Sequence, residues 1–235
     1  MPNHLQLFGF AHLLILVSVP LIAALLTAIQ SLVPSSSRLL RLTLAFLLFL
    51  STTSYYGYFV LQGGRMFPDH LPLELCDASL WLIIAALLTL KPSIFDLAYY
   101  YALAGASMSL LTPDLPLSSP IFLSVQYFAD HGLIIAAVLY LIWSGQARPR
   151  PGSIFQALLV LNIYAAFVLT FDFIFKTDYM FLRAKPLTVS LLTYLGPWPW
   201  YILAAEPVAL ILFFLLYLPF RQAVAAPVPL QCEPE

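Results

Sequence analysis

Residues 120–143 read PIFLSVQYFADHGLIIAAVLYLIW, an almost continuous apolar stretch with Asp130 and His131 inside it. A helix needs about 20 mostly apolar residues to cross the roughly 30 Å hydrocarbon core of a bilayer. The stretch is long enough to do so, and it carries two ionisable residues deep into the span. Such residues are costly in a membrane and commonly mark functional sites.

Six further segments meet the same length, so the sequence predicts an all-α, polytopic membrane protein with a bundle of seven transmembrane helices. Proline, glycine and serine clusters separate the spans. We expect one transmembrane domain over residues 1–222 and a short, proline-rich, disordered tail over 223–235. The predicted spans are Gln6–Ile29, Leu39–Leu61, Pro72–Leu90, Ile94–Leu111, Pro120–Trp143, Ile154–Phe175 and Pro199–Phe220.

Composition supports this class and excludes others. The 235 residues are 62% hydrophobic and only 9% charged, with a mean hydropathy of +0.92. Soluble domains carry about 25% charged residues, which excludes a soluble globule and a disordered chain. With 10 Lys and Arg against 11 Asp and Glu, no basic field is available for nucleic acid. Two cysteines, Cys76 and Cys232, are too few for a disulfide framework.

Lysine and arginine near the helix ends predict the orientation, because cytoplasmic loops carry an excess of them. One side holds Arg38, Arg41, Lys91, Arg148, Arg150 and Arg221, and the other holds Arg65, Lys176, Arg183 and Lys185. We therefore expect a cell-membrane protein with its N-terminus outside and its C-terminus in the cytoplasm. Cys232 and Cys76 then lie on opposite sides, which excludes a bond between them.

Ionisable residues of five spans gather in the non-cytoplasmic half, where we expect one polar cavity. They are His12, Glu74, Cys76, Asp77, Asp130, His131, Asp172 and Glu206. We expect Asp69 to cap the third helix, with Pro72 in its first turn. At about 1.5 Å per residue, Glu74, Cys76 and Asp77 would then lie some 7–12 Å below the surface.

Cys76 and His131 are the predicted catalytic pair. A cysteine nucleophile needs a base to form its thiolate, since a free thiol has a pKa near 8.5. Histidine can take that proton near neutral pH and return it. A supporting group that orients the imidazole is expected among Asp130, Asp77, Asp172, Glu206 and His12.

Other roles are open for the same residue types. A cysteine in a membrane helix also serves as a small packing residue, and an intramembrane histidine also serves as a hydrogen-bond partner between helices. The histidines lack the sequence spacing of a zinc site, so His12, His131, Asp172 and Glu206 would have to meet purely in space. We expect no metal and no other cofactor.

Several motifs together resemble the YwaF-like seven-helix membrane proteins, over nearly the whole chain. The most specific are the cysteine block and the Gly-Pro-Trp-Pro-Trp block. The motifs are Phe8-Gly-Phe-Ala-His12-Leu-Leu, Leu71-Pro-Leu-Glu-Leu-Cys76-Asp-Ala-Ser-Leu, Leu111-Thr-Pro-Asp114-Leu, Phe128-Ala-Asp-His131-Gly, Tyr179-Met-Phe-Leu-Arg-Ala-Lys-Pro186, Leu195-Gly-Pro-Trp-Pro-Trp-Tyr201, Glu206 and Tyr217-Leu-Pro-Phe220.

The resemblance implies a fold shared with an animal transmembrane acyltransferase that moves fatty-acyl chains between phospholipids with a cysteine and a histidine. Those two residues correspond to Cys76 and His131. By this resemblance a phospholipid is the acyl donor, and a lysophospholipid or water is the acceptor. Arg65, Arg183 and Lys185 are expected to hold a lipid phosphate at headgroup level, with Tyr127 on the same polar helix face as His131.

Two other function classes fit a polytopic membrane protein. The first is a proton-coupled transporter or solute carrier with His131, Asp130 and Glu206 as a relay, which needs access from both faces. The scarcity of polar groups in the cytoplasmic half disfavours it. The second is a non-catalytic receptor or assembly protein, for which seven helices alone are no evidence.

Overall fold

The computed structural model describes residues 7–115, 119–186 and 189–224, and these residues form helices and no strands. The described residues contain seven apolar helices, which confirms the predicted all-helical fold. Their bounds are α1 Phe10–Leu32, α2 Ser37–Leu61, α3 Leu75–Thr89, α4 Pro92–Leu111, α5 Ile121–Trp143, α6 Ser153–Phe175 and α7 Trp200–Tyr217. The tail from residue 225, with Cys232, lies outside the described residues.

Six of these helices are long and apolar enough to cross a membrane, and α3 is a shorter apolar helix. The chain is therefore a multi-pass membrane protein. Its outer surface carries large apolar side chains such as Leu25 and Phe155, which are 61% and 73% exposed. Lipid, not water, suits such a surface. The orientation of the termini remains a prediction.

The expected cap of the third helix is wrong. Residues 71–74 are not helical, and α3 begins at Leu75 with Glu74 at its N-cap, not near Asp69. Glu74 and Asp77 form a capping box, in which the Asp77 carboxylate accepts the backbone N–H of Glu74 at 3.1 Å. Cys76 consequently lies in the first turn of α3 and not two turns along a helix.

Helix α1 packs against α5 at close range. A Cβ atom added at Gly132 would meet a methyl group of Val19 at 3.3 Å, so glycine permits this approach. Near the start of α1, His12 joins this helix to α4, because its Nε2–H donates to the Leu110 carbonyl oxygen at 2.7 Å. Its Nδ1 accepts the backbone N–H of Phe8 at 2.9 Å.

An ion pair fixes the opposite end of the bundle. The Arg150 guanidinium donates to the fully buried Asp96 at 2.7 Å, and the Arg150 backbone N–H donates to the other carboxylate oxygen at 2.9 Å. The Tyr100 hydroxyl lies 3.0 Å from that of Ser153 at the start of α6. These contacts join α4 to the start of α6. None of these residues lines the cavity that contains Cys76, so we assign them a structural role.

Candidate functional site

A cavity of about 700 Å³ lies between α2, α3, α4, α5, α6 and α7, toward the side of the bundle where α3 begins. Its volume is in the range of ordinary small-molecule sites. Cys76 and His131 both line it. The two predicted catalytic side chains, which come from α3 and α5, therefore face one shared space.

The cavity lining divides by helix. Helices α2, α3 and α5 contribute mostly polar side chains: Thr52, Tyr55, Tyr56, Glu74, Cys76, Asp77, Gln126, Tyr127, Asp130 and His131. Helices α6 and α7 contribute apolar ones, and α4 contributes both kinds. The lining is thus mixed, with a polar part around the cysteine and an apolar part beside it.

Cys76 is the second residue of α3 and is half-buried. The positive end of a helix dipole lies at its N-terminus, where backbone N–H groups lack partners within the helix. Such a position favours a thiolate over a thiol. Cys76 therefore lies at a helix N-terminus, in the same turn as the carboxyls of Glu74 and Asp77, whose negative charge opposes that effect.

The His131 ring is held in one tautomer. Its Nδ1 lies 2.7 Å from the backbone carbonyl oxygen of Tyr127, and a carbonyl can only accept, so Nδ1 carries the proton. In the neutral ring Nε2 is then the basic nitrogen. The ring is 5% exposed and its centroid lies 4.2 Å from that of Tyr127. The Tyr127 hydroxyl in turn donates to the Ser109 carbonyl oxygen at 3.0 Å.

A backbone carbonyl, not a carboxylate, thus orients His131. Asp77 and Asp130 line the cavity, but their contacts differ from those of a triad acid. Asp77 caps α3, and Asp130 accepts a hydrogen bond from the side-chain amide of Gln126 on its own helix.

Asp172 lies at the end of α6, fully buried, and organises the connection to α7. Its carboxylate accepts the Thr177 hydroxyl at 2.6 Å and the Tyr179 backbone N–H at 3.0 Å. Tyr179 lines the cavity, and its hydroxyl donates to the Pro68 carbonyl oxygen at 2.7 Å. Burial raises the pKa of Tyr179, so this hydroxyl keeps its proton.

Glu74 joins that connection to the start of α3. Its carboxylate accepts the backbone N–H of Met180 at 2.9 Å. Met180 and Phe181 both line the cavity, and each has a φ of 56°, a left-handed conformation that is uncommon for residues other than glycine. The surrounding contacts must stabilise this backbone. The loop beside Cys76 is therefore held in one defined conformation.

Comparison with known proteins places the chain in a family. The model of the TMEM164 family matches residues 7–217. The chain belongs to the TMEM164 family. An uncharacterized protein of Treponema pallidum (strain Nichols) is 28% identical over 161 residues, which cover 68% of this chain and 66% of that protein, slightly under two thirds of its length. No solved structure matches the chain.

In this TMEM164-family chain, six predicted site residues are not part of the cavity lining: His12, Asp172, Glu206, Arg65, Arg183 and Lys185. Glu206 accepts the side-chain amide of Asn162 at 2.9 Å. Arg65 is exposed. The Arg183 guanidinium donates to the carbonyl oxygens of Asp172 and Thr177 at 3.1 and 2.8 Å. His12 uses both ring nitrogens in the backbone contacts described above. His12, His131, Asp172 and Glu206, considered above as an alternative zinc site, form no metal-binding cluster among the described residues.

Lys185 differs from the other predicted cations. Its ammonium group donates to the Thr193 carbonyl oxygen at 3.3 Å and lies 5.3 Å from the centroid of the Tyr201 ring. The next residue, Pro186, lines the cavity. Lys185 is therefore next in sequence to the cavity lining, and its ammonium group carries three N–H donors.

Sequence reasoning missed the organising roles of Glu74 and Tyr179 in the TMEM164-family chain. The three-residue spacing of Glu74 and Asp77 is that of a capping box and could have indicated the helix start. Nothing in the sequence pattern indicates that Tyr179, from a distant loop, reaches the backbone before α3.

Proposed function

We propose that this protein is a membrane-embedded lipid acyltransferase that moves a fatty-acyl chain from a phospholipid, through a thioester on Cys76, to a lysophospholipid. The observation that carries the proposal is that Cys76 and His131 line one cavity, with His131 held in the tautomer that leaves Nε2 basic. The resemblance to the YwaF-like proteins, with a cysteine and a histidine at these positions, supports it. A lipid environment supplies the substrate.

In the first half-reaction His131 Nε2 takes the Cys76 thiol proton. The thiolate attacks the ester carbonyl carbon of the donor, and a carbon–sulfur bond forms. The carbon–oxygen bond to the glycerol then breaks, and the imidazolium returns its proton to the departing oxygen. The products are an acyl thioester on Cys76 and a lysophospholipid.

In the second half-reaction the same nitrogen takes a proton from the hydroxyl of an acceptor lysophospholipid. The acceptor oxygen attacks the thioester carbonyl, the carbon–sulfur bond breaks, and the thiolate regains the proton. Water in place of the lysophospholipid would release a free fatty acid, which is the esterase version of this chemistry. No oxidant, reductant or metal is needed.

The polar surroundings suit these charges. The positive end of the α3 dipole lies beside Cys76 and offsets part of the cost of forming a thiolate next to the Glu74 and Asp77 carboxyls. Lys185 is our candidate for the lipid phosphate, because it is a cation next in sequence to Pro186 of the cavity lining. Asp77, Asp130 and Tyr127 form the remaining polar wall near His131.

Acyl transfer by purified protein tests the proposal. We would incubate the protein with labelled phosphatidylcholine and an unlabelled lysophospholipid and measure labelled diacyl product. We expect Cys76→Ala to abolish transfer and Cys232→Ala, the matched control at the other cysteine, to keep it. Transfer undiminished by Cys76→Ala would refute the thioester route.

A further inference from the structure

The apolar part of the cavity has a regular construction on α7. Residues Ala205, Val208, Ala209, Leu212 and Phe213 of that helix line it. Their spacing of three and four residues puts them on one face of the helix, along about 12 Å of its axis. Ala205 and Ala209 on this face have small side chains, so they leave cavity space that larger side chains would occupy.

Helix α4 presents a matching face. Tyr101, Ala104, Gly105 and Met108 line the cavity at the same spacing. Ala104 and Gly105 lie in the π-helical turn Ala102–Ala106, and such turns are frequent at functional sites. The cavity therefore has small residues on both α4 and α7, and the Leu75 side chain of α3 packs 3.5 Å from where a Cβ atom of Gly105 would lie. We call the apolar part of the cavity lined by these faces of α4 and α7 the slot.

Two aromatic rings close the inner end of the slot. Tyr101 and Phe213 are 3% and 2% exposed, and their ring centroids lie 6.3 Å apart. The Tyr101 hydroxyl donates to the Ala157 carbonyl oxygen at 2.7 Å. Phe213 stacks on Tyr100 with centroids 4.8 Å apart. Both rings are anchored, so they form a fixed floor.

We infer that the slot between α4 and α7 binds one acyl chain, with its ester beside Cys76 and its methyl end toward Tyr101 and Phe213. Ala209 and Phe213 are then the residues that determine chain length. The inference rests on the proposed function for the identity of the chain. An amphiphile fits, because the cavity is polar around Cys76 and apolar along α7 and has a closed end.

Chain-length preference tests the role of Ala209. Ala209 is half-buried against the cavity, so Ala209→Phe places a ring in the slot and not in packed core. We expect this variant to lower transfer from palmitoyl relative to octanoyl phospholipid about 10-fold or more, since hydrophobic pockets discriminate to that degree. Ile211→Phe, on the exposed face of the same helix, is the matched control and should keep the wild-type ratio.

Photocrosslinking separates this inference from the proposed function, because it needs no turnover. The probe is a phosphatidylcholine with a diazirine at the methyl end of one palmitoyl chain, bound to the Cys76→Ala protein in nanodiscs. We expect crosslinks at Tyr101 or Phe213 and their loss in Ala209→Phe. Crosslinks only on membrane-facing residues such as Ile211 would overturn the chain site, whatever the activity. Crosslinks at the floor without any acyl transfer by wild type would refute the enzyme and keep the site.

Discussion

The Nδ1–H of His131 donates a hydrogen bond to the backbone carbonyl oxygen of Tyr127, at 2.7 Å, one helical turn earlier in α5. The carbonyl fixes the tautomer and the ring orientation, which is the role of the carboxylate in a serine-protease triad. A backbone group cannot be removed by mutation at position 127. In the proposed mechanism the site would be a Cys–His dyad, in which the backbone of its own helix orients the base.

Replacing His131 by glutamine should remove the base and keep a polar side chain of similar size. We expect the acyl-transfer rate to fall about 100-fold or more, as general-base catalysis typically contributes that much. The measurement is the initial rate with labelled phosphatidylcholine, at equal amounts of folded protein by gel filtration. A loss below 10-fold would show that His131 is not the base.

Asp130→Asn should have a much smaller effect, although Asp130 adjoins His131 in sequence. The carboxylate accepts a hydrogen bond from Gln126, and the Tyr127 carbonyl orients the histidine. We expect a rate loss below 10-fold, measured in the same assay as His131→Gln. If Asp130→Asn were as inactive as His131→Gln, an acid-assisted triad would replace the dyad.

Glu74 should control the order of the loop beside Cys76. Glu74→Ala removes the acceptor of the Met180 N–H, so we expect faster limited proteolysis between α6 and α7 and a lower transfer rate. Glu74→Gln keeps an oxygen acceptor and should resemble wild type in both measurements. Equal proteolysis of Glu74→Ala and wild type would mean that this contact does not hold the loop.

Asp172→Ala should destabilise the fold. The substitution leaves the Thr177 hydroxyl and the Tyr179 N–H without their buried acceptor, at a cost of about 3 kcal/mol for charged hydrogen bonds of this kind. Thermal unfolding in detergent is the measurement. The control is Thr170→Ala, whose exposed hydroxyl bonds back to its own helix at Ala166. Equal melting temperatures for both variants would contradict a structural role of Asp172.

Most of the fold was predictable from the sequence because the bilayer sets the length of each apolar segment. The predicted spans Pro120–Trp143 and Ile154–Phe175 differ from the helices by one residue at their N-terminal ends. The third span differs in its start. Residues 71–74 are not helical and α3 begins at Leu75, so the number of helical residues expected before Cys76 was wrong, although the spacing of Glu74 and Asp77 is that of a capping box.

The candidate site was predictable only in part. Residue chemistry identified Cys76, His131, Asp77, Asp130 and Tyr127, and all five line the cavity. Whether the other predicted residues line the cavity depends on how the helices pack side by side and on the path of the loops. Glu206 accepts a hydrogen bond from Asn162, 44 residues away in the chain, and this contact depends on how α6 and α7 pack. Asp172 accepts one from the backbone of Tyr179, only seven residues further on, and this contact depends on the path of the loop. The depth of a polar residue along its helix therefore does not by itself show that its side chain lines the cavity.

Trapping the acyl-enzyme tests the central claim most directly. The wild-type protein is incubated with dipalmitoyl phosphatidylcholine without an acceptor, and the peptide that contains Cys76 is analysed by mass spectrometry. We predict a palmitoyl adduct on Cys76 that neutral hydroxylamine or added lysophospholipid removes, and that Cys232→Ala leaves in place. Lipid product formed at the wild-type rate by Cys76→Ala, with no adduct on the wild-type peptide, would contradict the thioester mechanism.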